Sequence, residues 1–99
     1  MNTKEYLLIR EVCHHYTIEV NFVSRLHDVG LIKLHQLDDR WYLHEEEVST
    51  LEKVLRLHHD LNVNVEGIDI IFNLLERIDE LEQQLGIARE RLLIYEMEH

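Results

Sequence analysis

Residues 22–42 read Phe-Val-Ser-Arg-Leu-His-Asp-Val-Gly-Leu-Ile-Lys-Leu-His-Gln-Leu-Asp-Asp-Arg-Trp-Tyr. The opening residues belong to an amphipathic helix, Gly-Leu-Ile supplies its exit, and Asp38-Asp39 divides two apolar runs as a tight hairpin turn does. Helix, turn and two-stranded wing in that order make a winged helix-turn-helix, a shape suited to reading DNA. The charge argues otherwise. The whole chain has a formal net charge of −10, and the reader helix, with Arg25 against Glu19 and Asp28, is itself net acidic.

Working outward, the 99 residues suffice for one domain with a modest core. The composition is 45% hydrophobic and 30% charged, which is globular rather than disordered. With no proline and three glycines, the chain has few breakers and long helices are expected. The acid excess is uneven. Residues 1–44 hold five basic and six acidic side chains, residues 45–66 two and six, and residues 67–99 three and eight. The rear half therefore repels polyanions and attracts basic proteins. Cys13 is the only cysteine, so no intrachain disulfide forms and a reducing compartment is expected. No signal-peptide pattern or membrane-length apolar run is seen, so the expectation is a cytoplasmic protein with no membrane association.

Tyr6–Ile9 is a short apolar run, either a strand or the lead-in to a first helix over Arg10–Tyr16. Thr17 is read as the N-cap of the second helix, with Ile18, Phe22, Leu26 and Val29 as its buried stripe and Gly30 as its left-handed C-terminal cap. Leu31–Leu37 and Arg40–His44 form the wing, with Trp41 and Leu43 on one face. A third helix opens at Glu45–Glu47, whose charge suits a helix N-terminus. It turns Val48, Leu51, Val54, Leu55, Leu57 and Leu61 inward and ends near Asn62, and Asn64 caps a fourth helix that runs almost to the end. The expected division is a winged part over residues 1–63 and an amphipathic helix over residues 64–99, within one domain.

From Ile71 the fourth helix keeps a heptad. Ile71, Ile78, Leu85 and Leu92 hold one core position, and Leu74, Leu81, Ala88 and Tyr95 the other. The stripe is expected to pack on its own domain as far as Ile78. Beyond that the seam Ile78, Leu81, Leu85, Ala88, Leu92 and Tyr95 predicts a homodimer, in either helix orientation.

A DNA reader that contacts six to ten phosphates depends on counterion release for much of its affinity. Asn21, Ser24, Arg25 and His27 on the helix, with Lys33 and Arg40 on the wing, do not supply that many cations, so duplex binding is disfavoured.

These residues resemble a known family. Ile9–Cys13 opening a helix, Gly30 after the next, and Trp41 in the wing are similar to the MerR-type winged helix-turn-helix. Arg56-Leu57-x-x-Asp60-Leu61, followed by Gly67-Ile68, looks like the helix junction of its chaperone-modulator branch, the CbpM family. The resemblance covers roughly Tyr6–Tyr95. DNA-binding members show an Arg-Tyr-Tyr-like element and a Pro-x-Arg, where this chain has Phe22-Val23-Ser24-Arg25 and Lys33-Leu34-His35. The resemblance implies a mainly α fold with a β-hairpin wing and a long C-terminal helix, and binding rather than catalysis. The implied partner is the J-domain of a DnaJ/CbpA-like co-chaperone, whose basic helix would otherwise engage Hsp70. Glu11, His15, Glu19 and Asp28 on the first two helices are the candidate J-domain contacts, and Glu45–Glu47 the competing set. The alternatives are a MerR-like transcriptional regulator that binds DNA as a dimer, and a dimeric adaptor for another partner.

No catalytic residue, cofactor or metal is assigned. His14-His15 and His58-His59 are adjacent pairs whose members point about 100° apart on a helix and chelate poorly alone. Exposed imidazoles would reduce the acid excess on protonation and make partner binding pH-sensitive. Cys13 reads as a small buried thiol, Trp41 as a core or wing anchor or else an exposed hot spot for a partner, and Arg56 with Asp60 as an i,i+4 ion pair or else a partner contact. No phosphate-binding loop or serine motif is present.

Overall fold

The computed structural model describes residues 5–98. Residues 1–4, part of the N-terminal stretch expected to carry no signal sequence, lie outside the described range. The element order is β1 (Tyr6–Leu8), α1 (Ile9–Tyr16), α2 (Val20–Asp28), β2 (Leu34–Leu37), β3 (Arg40–His44), a 3-10 turn (Glu45–Glu47), α3 (Val48–Leu61) and α4 (Val65–Met97). The fold is thus mainly α, a winged helix-turn-helix followed by a long C-terminal helix. The chain divides into two compact units, one ending at Asp69 and the other beginning at Ile70.

In the first unit, α1 buries Ile9, Val12 and Cys13, at spacings that share one helix face. Three helices and the sheet then close the core. Val23 and Leu26 of α2, Leu43 of β3, Leu51 and Val54 of α3, and Val65 and Ile68 of α4 are all fully buried. Each contributes roughly 1.5–3 kcal/mol of burial.

The wing forms as its sequence predicts. Leu34 pairs with Leu43 and Leu37 with Arg40, and Asp38 and Asp39 turn the chain with φ of 51° and 63°. Positive φ at both central residues is the type I′ geometry that matches strand twist, and Asp tolerates it better than most side chains do. The apolar run at the N-terminus resolves as a strand: Tyr6 pairs with His44 and Leu8 with Tyr42, making a three-stranded antiparallel sheet of order β1-β3-β2. Gly30, at φ +85°, ends α2, and its amide donates to the His27 carbonyl at 3.0 Å. No L side chain takes that conformation without strain.

Several expectations require correction. Thr17 is the left-handed C-cap of α1, at φ 56°, and α2 starts at Val20 with Glu19 at its N-cap position. The buried stripe of α2 runs through Val23 and Leu26, with Phe22 and Ile18 half-buried and Val29 exposed; Ile18 precedes the helix and Val29 is its C-cap, so neither belongs to its inward face. Leu31–Lys33 are not strand, since the helix exit uses them before β2 begins. In α3 only Leu51, Val54 and Leu55 are buried. Val48 and Leu57 are half-covered, and Leu61 is 68% exposed in the last turn before the left-handed Asn62. Arg56 and Asp60 make no ion pair. Asn64 does cap α4, accepting from the Gly67 amide at 2.8 Å.

In the second unit, α4 continues as one helix to Met97. Ile71 and Phe72 are half-buried, but Leu74, Leu75 and Ile78 are exposed. The seam expected to be covered as far as Ile78 therefore opens to solvent one turn earlier.

Candidate functional site

The face that a winged helix-turn-helix presents to its ligand is built here by α2 and the hairpin, with the start of α1 beside them. A groove of about 660 Å³ lies on it. Leu8, Ile9, Val20, Leu34 and Trp41 form its apolar surface, and Arg10, Ser24, His27, Asp28 and Arg40 add its polar groups. Trp41, expected in the core or as wing anchor, is 42% exposed. It sits one residue after Arg40, which closes the hairpin turn, while Leu43 two residues on is fully buried. Its nearest aromatic neighbour is the His27 ring, at 6.1 Å between centroids.

His27 ties the reader helix to the wing. The Leu34 amide at the start of β2 donates to His27 Nδ1 at 3.1 Å. An accepting Nδ1 leaves the proton on Nε2, so this contact selects the tautomer. His44 does similar work at the other end of the sheet, where its Nδ1 accepts from the Glu46 amide at 3.1 Å and caps the 3-10 turn. Its Nε2 lies 3.7 Å from the Glu5 carboxylate, and Tyr6 packs edge-on against both His44 and His35. His58 Nδ1 lies 3.0 Å from the Val63 carbonyl, closing the α3–α4 turn, and its ring stacks on Phe22 at 4.6 Å. Three of the histidines, His27, His44 and His58, are thus hydrogen-bonded local fasteners. Among the described residues no group of three or more His, Cys, Asp or Glu could hold a metal ion.

The only cation of α2, Arg25, is engaged within the domain. Its Nη2 donates to Glu66 Oε1 of α4 at 3.0 Å. Both side chains are mostly exposed, so the pair adds little stability, but it competes with any phosphate for the guanidinium. Glu66 is held below the usual carboxylate range, first by hydrogen bonding to its own backbone amide in the opening turn of α4, and then by Arg25. Cys13 is buried and free, and burial pushes its thiol up from the ordinary value, away from the reactive thiolate.

The four candidate contacts do not converge. Glu11 and His15 lie four apart on α1, both exposed. Glu19 lines a shallow pocket between the start of α2 and the end of α3, with Phe22, Arg25, His58 and His59. Asp28, at the opposite end of α2, lines the large groove with Arg10 and Arg40. What sequence reasoning missed is that groove: Leu8, Val20 and Trp41 come from three separate elements, and only the exposed Trp41 was singled out. The seam residues Ile78, Leu81, Leu85 and Leu92 are about half-exposed.

Residues 7–90 match the model of the MerR HTH family regulatory proteins. The chain belongs to that family. Its relatives include the chaperone modulatory protein CbpM of Pseudomonas entomophila (strain L48), 21% identical over 85 residues that cover 85% of this chain and 84% of the relative. The chaperone modulatory proteins CbpM of Escherichia coli (strain K12 / DH10B) and Shigella boydii serotype 18 are each 24% identical over the same shares. The CbpM likeness, expected over roughly Tyr6–Tyr95, is matched by relatives that cover 85% of the chain. No solved structure matches it significantly. No helix among the described residues is long and apolar enough to cross a membrane.

Proposed function

We propose that this chain is a chaperone modulator that binds the J-domain of a DnaJ/CbpA-like co-chaperone and restrains its stimulation of Hsp70. The similarity to proteins named chaperone modulatory protein CbpM, over 85% of the chain, carries this reading. Electrostatics supports it. A chain of net charge −10 attracts a basic helix, and the reader helix pairs its one arginine internally. The mechanism is masking: the modulator covers the basic helix of the J-domain, so Hsp70 is not engaged and its ATP hydrolysis stays slow. Glu11, His15, Glu19 and Asp28 are the proposed contacts, with Glu45–Glu47 as the competing acidic set. Charge reversal at each set, scored by J-domain affinity, separates them, with Glu11 and His15, Glu19, and Asp28 altered separately because they lie on different surfaces.

The working unit is a homodimer joined through Ile78, Leu81, Leu85, Ala88, Leu92 and Tyr95. A heptad seam left half-exposed along a helix of 33 residues is the kind of surface a second helix covers. Sedimentation of the wild type against Leu85→Glu tests the dimer. Calorimetric titration with the purified J-domain at low salt, paired with Hsp70 ATPase measurements, tests the function. Saturable binding with suppressed stimulation is expected, and absence of binding ends the proposal.

A second reading has one observation in its favour. Arg10 and Arg40 lie on the face where a MerR-like regulator meets DNA. A regulator binds duplex with a steep salt slope, whereas a modulator ignores duplex and binds the J-domain.

A further inference from the structure

The groove between α2 and the wing has the wrong local charge for the basic J-domain helix, and it calls for a different occupant. Arg10 and Arg40 both line it, against a single acid, Asp28. Neither arginine is ion-paired among the described residues, unlike Arg25. On a chain with twice as many acidic as basic side chains, two uncommitted guanidinium groups beside an apolar trough form a local inversion of the field.

We infer that this groove docks an acidic, amphipathic segment of a partner protein, with bulky apolar side chains on the Leu8–Val20–Trp41 surface and flanking carboxylates on Arg10 and Arg40. A guanidinium presents a planar fork that grips a carboxylate through two parallel hydrogen bonds, and docking beside apolar walls strengthens that attraction by excluding water. Trp41 is placed as an interface anchor, a large amphipathic ring partly exposed at the groove. A peptide side chain fits the site better than a small molecule does. Ligand pockets bury roughly 70–90% of their guest, whereas here Val20 and Trp41, 51% and 42% exposed, leave the trough open. Duplex DNA fits worse. Its phosphates would be desolvated against Leu8, Val20 and Trp41, and two arginines release too few counterions to hold it at physiological salt. The inference stands apart from the J-domain reading except at Asp28, a proposed J-domain contact that lies in the same groove and that this inference assigns to the groove's own occupant.

Trp41 is the only tryptophan, so its emission reports on this groove alone. A random dodecamer phage library is selected on the full chain, and the enriched peptides are synthesised and titrated against it in 150 mM salt. The expected consensus combines Leu, Phe or Trp with flanking Asp or Glu, and binding shifts the Trp41 emission to the blue. Arg10→Glu/Arg40→Glu weakens binding tenfold or more, while Arg10→Lys/Arg40→Lys, which keeps the charge but loses the fork, weakens it less, and circular dichroism of both variants controls for folding. A basic consensus, no enrichment, binding that leaves Trp41 silent or survives charge reversal, or displacement of the peptide by a 20-base-pair duplex overturns the inference. Loss of J-domain binding with intact peptide binding, or the converse, separates this proposal from the one above.

Discussion

Replacing glycine by alanine at two positions of α4 should have opposite effects, although helix propensity predicts the same gain at both. Alanine is favoured over glycine in a helix interior by about 1 kcal/mol. At Gly86 an added Cβ meets nothing within 4 Å, so Gly86→Ala should realise most of that gain. At Gly67 the same atom falls 2.8 Å from Val63 Cγ1 and 3.0 Å from Asn64 Oδ1. Asn64 Oδ1 is the cap of α4, held by the Gly67 amide itself, and Val63 is β-branched and stiff about χ1. Losing an Asn cap costs about 1 kcal/mol, and forcing Val63 off its rotamer costs a further ~0.5–1.5 kcal/mol. The propensity gain is cancelled, and a net loss of roughly 0.5–1.5 kcal/mol is left. Urea denaturation followed by circular dichroism, with both variants beside wild type, measures the two changes. Gly67→Ala equal to or more stable than wild type would refute the packing argument at the α3–α4 junction. Gly86→Ala less stable would show that α4 is covered at that point.

Three further outcomes follow from individual contacts. The Glu66 carboxylate is held below its ordinary range in the folded state, so its stabilisation is complete above the ordinary carboxylate pKa and is lost as pH falls through the depressed value. The stability difference between wild type and Glu66→Gln should therefore shrink on acidification from pH 6, as followed by denaturant midpoints. His27→Phe removes the acceptor of the Leu34 amide, at a cost of about 1 kcal/mol, and Leu34 should lose amide-exchange protection while Leu43 in β3 keeps most of its own. The Cys13 thiol is buried with its pKa raised, so a disulfide reagent at pH 8 should label it at the rate of transient opening, and fast labelling of native protein would contradict that burial.

The wing was legible because Asp38-Asp39 between apolar runs has few structural meanings, and both residues adopt the positive φ that a two-residue hairpin needs. Gly30 and Asn64 were legible for the same reason, since local backbone chemistry fixes each role. Thr17 misled because a residue that favours N-caps was placed by chain geometry at the left-handed end of the preceding helix. β1 was ambiguous because three apolar residues are too few to show a period, and only pairing with His44, Leu43 and Tyr42 makes them a strand. The end of α3 was misread because periodicity does not reveal where a core stops, and Leu61 continues the stripe past the last covered turn. The groove could not be found from the sequence at all. Leu8, Val20 and Trp41 are mutually distant in the chain; the β1–β3 pairing brings Leu8 and Trp41 into one sheet, and the first residue of α2 adds Val20.

The account turns on what a DNA-reader's architecture binds once its charge has been reversed. The most direct measurement is fluorescence anisotropy of a labelled J-domain and of a labelled 20-base-pair duplex, each titrated with the full chain in 150 mM salt. The account predicts a saturable rise with the J-domain that weakens as salt is raised, and no rise with the duplex. Sequence-selective capture of the duplex with a silent J-domain would contradict it.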